Sequence, residues 1–255
     1  MERTPRSCLD RAHGGLGIGS DSCTPPLGEA VLHVWVLDLA LDGEYLAICE
    51  DLLAAEEWQK VRRFSSRRLA RRFIVRRGLL RSILGDYLDH PPKEIMFVLN
   101  AHGKPSLAPD LCSDLQFSVS DSGEKAAIAV GLGEPIGIDI ERLRPVQFQG
   151  GLDSCHSVKV KPLRAGGPAA VDNELEFFQA WTRQEALAKA EGVGLQMLPD
   201  LPDLKGLKGD APSLPDVDGS LPGRGFHIHS LTLPYGFVGA LAAQLKTPEI
   251  VYCST

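Results

Sequence analysis

The sequence predicts an α+β protein built as a pseudodimer of two similar halves, each a small, mainly antiparallel sheet packed on a long helix. Two observations support this. Short β-branched runs alternate with amphipathic helical stretches, and the order strand, helix, strands occurs twice along the chain. The halves are expected to meet near residues 131–136, although no sequence repeat establishes them. We therefore expect an extension over residues 1–30, an N-terminal half over 31–135 and a C-terminal half over 136–250.

Composition is typical of a globular protein. The 255 residues are 44% hydrophobic and 24% charged, and the net charge of -6 argues against a protein that coats nucleic acid with its whole surface. No apolar run approaches the roughly 20 residues of a membrane span. The six scattered cysteines lack a Cys-x-x-Cys pair and suggest neither a zinc site nor a disulfide framework. We expect a cytoplasmic monomer that binds neither nucleic acid nor membrane.

The N-terminal half follows an extension, residues 1–30, that is rich in Gly, Ser and Pro and is expected to be disordered. The apolar run VLHVWVLD indicates the first strand. Apolar residues at three- and four-residue steps indicate a long helix that Pro91-Pro92 ends, and residues 121–124 are expected to be the turn of a hairpin. The expected elements are strands at 31–38, 95–99, 115–120 and 125–130 and helices at 44–51 and 54–87.

The C-terminal half opens with Ile136-Gly137-Ile138-Asp139-Ile140-Glu141, in which isoleucines alternate with two carboxylates. In a strand, Asp139 and Glu141 point to the same face, and carboxylates that close together favour a cation between them. The alternative is a half-exposed strand with a solvated acidic side. The remaining expected elements are a helix at 174–191 and strands at 226–233 and 236–245, with no structure assigned to 144–170.

The segment from Lys60 to Arg81 is rich in arginine and contains no acidic residue. Because like charges at four-residue spacing destabilise a helix, this excess implies an anionic partner. Phosphates of a small molecule, nucleic acid and an acidic protein all remain open as that partner. A merely solvated helix face is the other alternative.

Two further segments carry polar side chains that suit catalysis. In Trp181–Lys189, Glu185 and Lys189 are four residues apart, so they share a helix face and can pair. The pair is either a routine surface contact or a carboxylate held near a cation to bind metal or accept a proton. In Phe117–Ser122, the hydroxyls can hold a phosphate or can simply form a turn.

The order of these segments resembles that of the 4′-phosphopantetheinyl transferases, and in particular their larger, pseudodimeric, surfactin-synthetase-activating class. The resemblance covers about Val31 to Leu245. It is carried by the basic helix, Gly103-Lys104-Pro105, Phe-Ser-Val-Ser-x-Ser, Gly-Ile-Asp-Ile-Glu and Phe-Phe-x-x-Trp-Thr-x-x-Glu-Ala-x-x-Lys. It implies that family's fold and the Mg²⁺-dependent transfer of 4′-phosphopantetheine from coenzyme A to a serine of an apo acyl or peptidyl carrier protein. The carrier would serve fatty-acid, polyketide or peptide synthesis, and adenosine 3′,5′-bisphosphate would be released.

The resemblance also implies roles for individual residues. Asp139, Glu141 and Glu185 would bind the metal. Glu185, assisted by Lys189, would deprotonate the carrier serine directly or through water. The residues expected near the coenzyme A phosphates are Lys60, Arg72, Lys104 and Ser120.

Three departures from the family pattern bear on activity. Asp121 replaces a histidine expected to contact a coenzyme A phosphate, Gln184 replaces a lysine, and the expected Phe-Phe-Ser-x-x-Glu segment is not recognisable in residues 145–170. One alternative is therefore an inactive family member that binds coenzyme A or a carrier without transfer. The other is a nucleic-acid-binding protein that uses the helix at residues 60–81.

Overall fold

The computed structural model describes residues 26–144, 146–147, 161–162, 169–194 and 225–253, and these form the predicted α+β fold. The helices of this part of the chain are α1 (Glu44–Asp51), α2 (Ala55–Val61), α3 (Arg67–Leu88) and α4 (Ala169–Glu191), with 3-10 turns at Pro92–Glu94 and Pro109–Leu111. The strands are β1 (Val31–Asp38), β2 (Phe97–Leu99), β3 (Pro105–Leu107), β4 (Leu115–Ser122), β5 (Lys125–Leu132), β6 (Gly137–Arg142), β7 (Val146–Gln147), β8 (Lys161–Pro162), β9 (His227–Ser230), β10 (Phe237–Ala243) and β11 (Glu249–Cys253). No helix in these described ranges is both long and apolar enough to span a membrane.

The strands form two main sheets and two short pairs. The first sheet has the order β11-β1-β5-β4 and is antiparallel except for β1 and β11, which run parallel with Val31 opposite Glu249. The second sheet has the antiparallel order β6-β10-β9. The strands β2 and β3 form one separate pair, and β7 and β8 form the other.

The described residues fall into two compact units. Residues 41–95 form the first, and residues 26–40 together with those from 96 onward form the second. Both main sheets and α4 therefore belong to the second unit, while α1, α2 and α3 belong to the first. The organisation into two similar halves, with boundaries at 31–135 and 136–250, stays a prediction.

The core of the second unit draws on both main sheets. Alternate residues of β1 and β5 pack with alternate residues of β6 and β10, and the buried members are Leu32, Val34, Ala127, Ala129, Ile136, Ile138, Ile140, Leu241 and Ala243. Since Ile138 and Ile140 face this core, the two-residue period of β6 directs Asp139 and Glu141 away from it. The core therefore fixes the face on which the two carboxylates lie.

Helix α4 packs closely on β6 and β10 because the facing residues are small. Its Ala186 and Ala190 are buried with Ala240 and Ala242 of β10. A Cβ added to Gly137 would lie 1.9 Å from the carbonyl oxygen of Ala186 and 2.4 Å from the nitrogen of Ala190. This close approach brings the polar residues of α4 up to β6.

Several predicted boundaries are wrong. The single helix expected at 54–87 is two helices, because the chain leaves helical geometry between α2 and α3 and Ser66 is extended at φ -115° and ψ 126°. Serine favours such positions before a helix because its hydroxyl competes for local backbone groups. Strand β4 continues to Ser122, so the hairpin turn is shorter than expected. Helix α4 begins at Ala169, and the pair β7–β8 lies where no structure was assigned.

Residues 1–25 and most of 145–168 lie outside the described residues. The predicted disorder of the extension and the missing Phe-Phe-Ser-x-x-Glu segment fall largely on them. The strands expected at 226–233 and 236–245 are present in shorter form as β9 and β10. The parallel strand β11 was not predicted.

Candidate active site

Asp139 is buried on β6, with 5% of its surface exposed. Its Oδ1 accepts hydrogen bonds from Ser120 Oγ at 2.6 Å and from Lys189 Nζ at 2.7 Å. Its Oδ2 is also buried and has no hydrogen-bond partner among the described residues. Burial raises the pKa of Asp139, while Lys189 and Ser120 oppose that rise because they favour the charged carboxylate.

Glu141 lies two residues farther along the same face of β6. Its Oε2 accepts hydrogen bonds from Ser122 Oγ at 2.6 Å and from the Arg144 guanidinium at 3.0 Å. The Arg144 guanidinium carbon lies over the ring of Phe178 on α4, 5.0 Å from its centre, so the two side chains form a cation–π contact. Each of the two predicted acids is therefore held by a serine of β4 and by a cation.

Lys189 connects α4 with β6. Its amine donates to the carbonyl oxygen of Ile138 at 3.1 Å as well as to Asp139, and within the described residues it forms no ion pair with Glu185. Lys189 forms its ion pair with Asp139 and acts on Glu185 only through its charge, because the close approach at Gly137 lets Lys189 reach the strand.

Glu185 nevertheless lies in the same electrostatic environment as the two strand acids. Burial raises the pKa of Glu185, the positive charge of Lys189 lowers it, and the charges of Asp139 and Glu141 raise it. Across the described ranges, no three His, Cys, Asp or Glu side chains stand close enough together to hold a metal ion as they are.

The donor chemistry of the three acids still fits a hard divalent cation. Mg²⁺ binds carboxylate oxygens in preference to nitrogen or sulfur ligands. A buried carboxylate oxygen without a partner carries a desolvation cost that a cation would remove, and Asp139 Oδ2 is such an atom. The residues present therefore fit Mg²⁺ by ligand type and by this one orphaned oxygen.

A cleft of about 330 Å³ opens beside these residues. Its walls are the loop between β2 and β3, one side of β4 and the C-terminal part of α4; the lining residues are His102, Gly103, Lys104, Pro105, Ser118, Val119, Glu185, Ala188, Lys189, Val193 and Gly194. Two predicted catalytic residues, Glu185 and Lys189, thus share one cleft with Lys104.

Lys104 reaches into the unit from the loop between β2 and β3. Its amine donates to the carbonyl oxygen of Ile136 at 3.0 Å. Burial, and then the positive charge of Lys189, lower the pKa of Lys104 to about 8. The ammonium groups of Lys104 and Lys189 bond to the carbonyl oxygens of Ile136 and Ile138, two residues apart, and together produce a positive potential that suits an anionic ligand.

Asn100 fixes the loop that carries Lys104. Its Oδ1 accepts the backbone N–H groups of His102 at 2.9 Å and Lys104 at 3.0 Å, and its Nδ2 donates to the carbonyl oxygen of Gly192 at 2.7 Å. One side chain therefore joins the loop to the residue that follows α4. This joins two walls of the cleft.

The basic segment belongs to the first compact unit, and part of its charge is compensated there. Arg81, 2% exposed, donates to Glu57 at 2.8 Å and to three backbone carbonyls, while Arg77 lies 3.2 Å from the same carboxylate. Arg71 pairs with Asp42 at 2.5 Å. The inference that the whole arginine excess needs an external anion is therefore too broad, because acids outside the segment neutralise part of it.

Lys60 and Arg72 also lie in the first unit. The Lys60 amine lies 5.1 Å from the centre of the Phe73 ring, and Arg76 lies 5.9 Å from it. Burial lowers the pKa of Lys60, as do the charges of Arg76 and Arg77, and burial lowers the pKa of Arg76 to about 10. Repulsion among these cations would be relieved by an anion, and the roles of Lys60 and Arg72 toward phosphate stay predictions.

Several residues at the site were missed or misplaced by sequence reasoning. Asp121 and Ser122 were assigned to the hairpin turn, yet they belong to the end of β4, and Ser120, which was expected near a phosphate, contacts Asp139. The spacing of serines at 118, 120 and 122 matches the spacing of acids at 139 and 141, and this shared two-residue period could have indicated paired strand faces. No sequence signal singles out Asn100 or Arg144.

Comparison with known proteins gives matches along most of the chain. Residues 42–132 match the family described as 4′-phosphopantetheinyl transferase, N-terminal, and residues 135–218 match the 4′-phosphopantetheinyl transferase superfamily. The 4′-phosphopantetheinyl transferase HetI of Nostoc sp. is 33% identical over 174 residues, 67% of this chain and 72% of that protein. The 4′-phosphopantetheinyl transferase Sfp of Bacillus subtilis is 30% identical over 146 residues, 57% of this chain and 62% of that protein. A putative 4′-phosphopantetheinyl transferase of Synechocystis sp. is 28% identical, over 58% of this chain and 63% of its own length.

Proposed function

The chain belongs to the 4′-phosphopantetheinyl transferase superfamily, in its Sfp-like type, and from this premise we propose that it transfers 4′-phosphopantetheine from coenzyme A to a serine of an apo carrier protein. The reaction is Mg²⁺-dependent and releases adenosine 3′,5′-bisphosphate. The observation that carries the proposal is the cleft in which Glu185, Lys189 and Lys104 meet beside the buried Asp139.

Asp139, Glu141 and Glu185 are the residues that would hold Mg²⁺, with Asp139 Oδ2 as the available buried oxygen. When bound, Mg²⁺ offsets the negative charge on the transferred phosphorus and on the leaving group. Burial raises the pKa of Asp139, and the ion pair with Lys189 opposes that rise because it favours the charged carboxylate. The charged carboxylate is the form that a metal binds.

Glu185 is the base of the reaction in this proposal. It accepts the proton of the carrier serine, directly or through water, while the serine Oγ forms a bond to the phosphorus that carries the pantetheine arm. The bond from that phosphorus to the oxygen of the departing bisphosphate breaks. Burial raises the pKa of Glu185 and so makes it a stronger base than an exposed glutamate, while the charge of Lys189 opposes that rise.

Lys104 is the contact that the structure supports best for the coenzyme A phosphates, because it lines the cleft beside Lys189. Lys60 and Arg72 are also proposed to contact phosphate, on the family resemblance alone. Ser120, which was also assigned to a phosphate, donates its hydroxyl hydrogen bond to Asp139 in this structure and would have to turn to donate to a ligand. Asp121 remains the nearby residue with the wrong charge for a phosphate.

The carrier protein, the cytoplasmic location, the monomeric state and the pseudodimeric organisation are further parts of this proposal. The carrier belongs to fatty-acid, polyketide or peptide synthesis. A nucleic-acid function for residues 60–81 is less well supported, because Arg71, Arg77 and Arg81 are engaged with acids and carbonyls of their own unit.

The test is to incubate the protein with coenzyme A, Mg²⁺ and a panel of apo carrier proteins and to weigh the carriers by mass spectrometry. A mass gain of one phosphopantetheine group is expected, and Glu185→Gln should abolish it. Glu176→Gln is the matched control, because Glu176 is nine residues away on α4 and therefore points from the opposite side of the helix. No gain on any carrier would favour a family member that binds without transfer.

A further inference from the structure

The serines of β4 form a ladder along β6, here called the serine ladder and made of Ser118, Ser120 and Ser122. All three are buried, with 4%, 6% and 6% of their surfaces exposed. Because they are two residues apart, they lie on one face of β4. In this structure β4 and β6 belong to different sheets, so these side chains make contacts that backbone pairing does not provide.

The members of the serine ladder differ in what they contact. Ser118 Oγ accepts a hydrogen bond from the backbone N–H of Ile138 at 3.0 Å, so its partner is a backbone group and not a carboxylate. Ser120 Oγ donates to Asp139, and Ser122 Oγ donates to Glu141, both at 2.6 Å. A hydroxyl hydrogen bond of that length to a charged carboxylate is among the stronger hydrogen bonds in proteins.

Ser122 is doubly engaged. Its Oγ donates to Glu141 Oε2 and also accepts the backbone N–H of Arg142 at 3.1 Å. The accepted N–H fixes the direction in which the hydroxyl proton points, and that direction is Glu141. The Arg144 guanidinium bonds to the same Oε2 atom. Both hydrogen bonds to Glu141 therefore end on Oε2, and its Oε1 atom can serve as a metal ligand.

We propose that Ser122 is a positioning residue for the metal-binding acid Glu141, an inference that rests on the proposed Mg²⁺-dependent function. A glutamate side chain has several rotatable bonds, and holding it in one arrangement before a cation arrives removes the cost of ordering it on binding. Ser122 supplies this restraint from a rigid strand. Arg144 alone would restrain Glu141 less, because 41% of its side chain is exposed.

Ser118 provides the matched control. It lies on the same strand and the same face and is equally buried, but its hydroxyl contacts a backbone N–H and no carboxylate. Removal of either hydroxyl takes the acceptor from one backbone N–H of β6, and this cost is greater in Ser118→Ala because Ile138 is buried whereas Arg142 is exposed. A difference between the two variants therefore reports on Glu141.

The experiment is a titration of the full chain with Mn²⁺ alone, in which electron paramagnetic resonance counts the free ion. Ser122→Ala should weaken Mn²⁺ binding about tenfold, as expected for loss of a partner that orients a ligand. Ser118→Ala should weaken Mn²⁺ binding less than Ser122→Ala does, because Ser118 contacts no carboxylate. Ser122→Thr, which keeps the hydroxyl on a strand residue, should retain the wild-type affinity. Circular dichroism establishes that each variant is folded.

Equal affinities for Ser122→Ala and the wild type, or equal losses for Ser122→Ala and Ser118→Ala, would overturn the inference. If Ser122→Ala does not fold, Ser122→Cys replaces it, because a thiol is of similar size to the hydroxyl but donates weaker hydrogen bonds. The Ser122→Cys protein should then show the same loss of Mn²⁺ affinity that is expected for Ser122→Ala. A wild-type protein that does not bind Mn²⁺ would overturn the proposed metal function together with this inference.

Discussion

The ammonium group of Lys189 lies 2.7 Å from Oδ1 of Asp139, so an ion pair joins helix α4 to strand β6. The two side chains are 26% and 7% exposed, whereas the ion pair between Lys125 and Asp38 in the same unit has exposures of 30% and 51%. The first pair is therefore screened much less by water. Loss of the carboxylate charge should therefore lower the free energy of unfolding more at Asp139 than at Asp38.

Asp139→Asn should lower the free energy of unfolding by about 2 kcal/mol, less than for a fully buried pair because Lys189 keeps some contact with water. The same substitution should abolish transfer to a carrier, since the amide is a poor metal ligand. Urea denaturation and carrier mass spectrometry measure the two effects. Asp38→Asn is the control and should cost less than about 1 kcal/mol. Equal losses of stability in both variants would contradict the difference in burial.

Gly137→Ala should displace α4 and remove activity. The added methyl group would lie 1.9 Å from the carbonyl oxygen of Ala186, and backbone atoms of a packed helix cannot move aside independently. We expect a loss of about 3 kcal/mol in the free energy of unfolding. Gly28→Ala is the comparison, because its Cβ would come no closer than 3.3 Å to a methyl group of Val31. A Gly137→Ala variant with wild-type stability would show that α4 does not pack on β6 at this distance.

Asn100→Ala should weaken coenzyme A binding several-fold and leave the turnover rate at saturating coenzyme A close to that of the wild type. The side chain organises the loop of Lys104 but does not line the cleft. Asn100→Asp keeps the acceptor for the N–H groups of His102 and Lys104 and loses the donor to Gly192. Its affinity for coenzyme A should therefore lie between those of the wild type and Asn100→Ala. Isothermal titration calorimetry gives the affinities. An unchanged affinity in both variants would mean that the loop is held by other contacts.

Coenzyme A binding should weaken as the pH rises through about 8, the pKa of Lys104. A bound phosphate favours the charged ammonium, so the complex holds a proton that the free protein has lost above that pH, and affinity falls as pH increases. Because arginine stays charged throughout, Lys104→Arg should make the affinity independent of pH from roughly 7.5 to 9.5, a window that brackets the pKa of Lys104. A wild-type affinity that is constant over this range would argue that Lys104 does not meet a phosphate.

The sequence pattern predicted those strands and helices whose bounds depend on the residue types and hydrophobic spacing within the element itself. Strand β1 was predicted with its observed bounds because β-branched and apolar residues fill it. The bounds of α1 were also predicted as observed. The break between α2 and α3 was missed because Ser66 interrupts an otherwise continuous helical pattern. Serine and aspartate favour turns, so Asp121 and Ser122 were expected to lie in the hairpin turn, although pairing with β5 and the contact of Ser122 with Glu141 keep them extended.

At the site, the sequence predicted that Asp139 and Glu141 share a strand face and that Glu185 and Lys189 share a helix face. It did not predict that Lys189 would contact Asp139, because that contact depends on how closely α4 approaches β6. The close approach follows from small residues, Gly137 and Ala186, which in a sequence carry no sign of catalysis. Residues such as Asn100 act through backbone atoms, and pattern analysis does not detect such contacts.

The parallel pairing of β1 with β11 has a consequence for how the protein is made. Val31 has emerged from the ribosome long before Glu249, its partner, is synthesised. The edge of β1 that β11 covers is therefore exposed for most of translation, and exposed strand edges can pair with other chains. Contacts between residues so far apart in sequence also slow folding. Completion of this sheet should be a late event in the biogenesis of the enzyme, and shortening the chain before Glu249 should lower the soluble yield more than the catalytic competence of the molecules that fold.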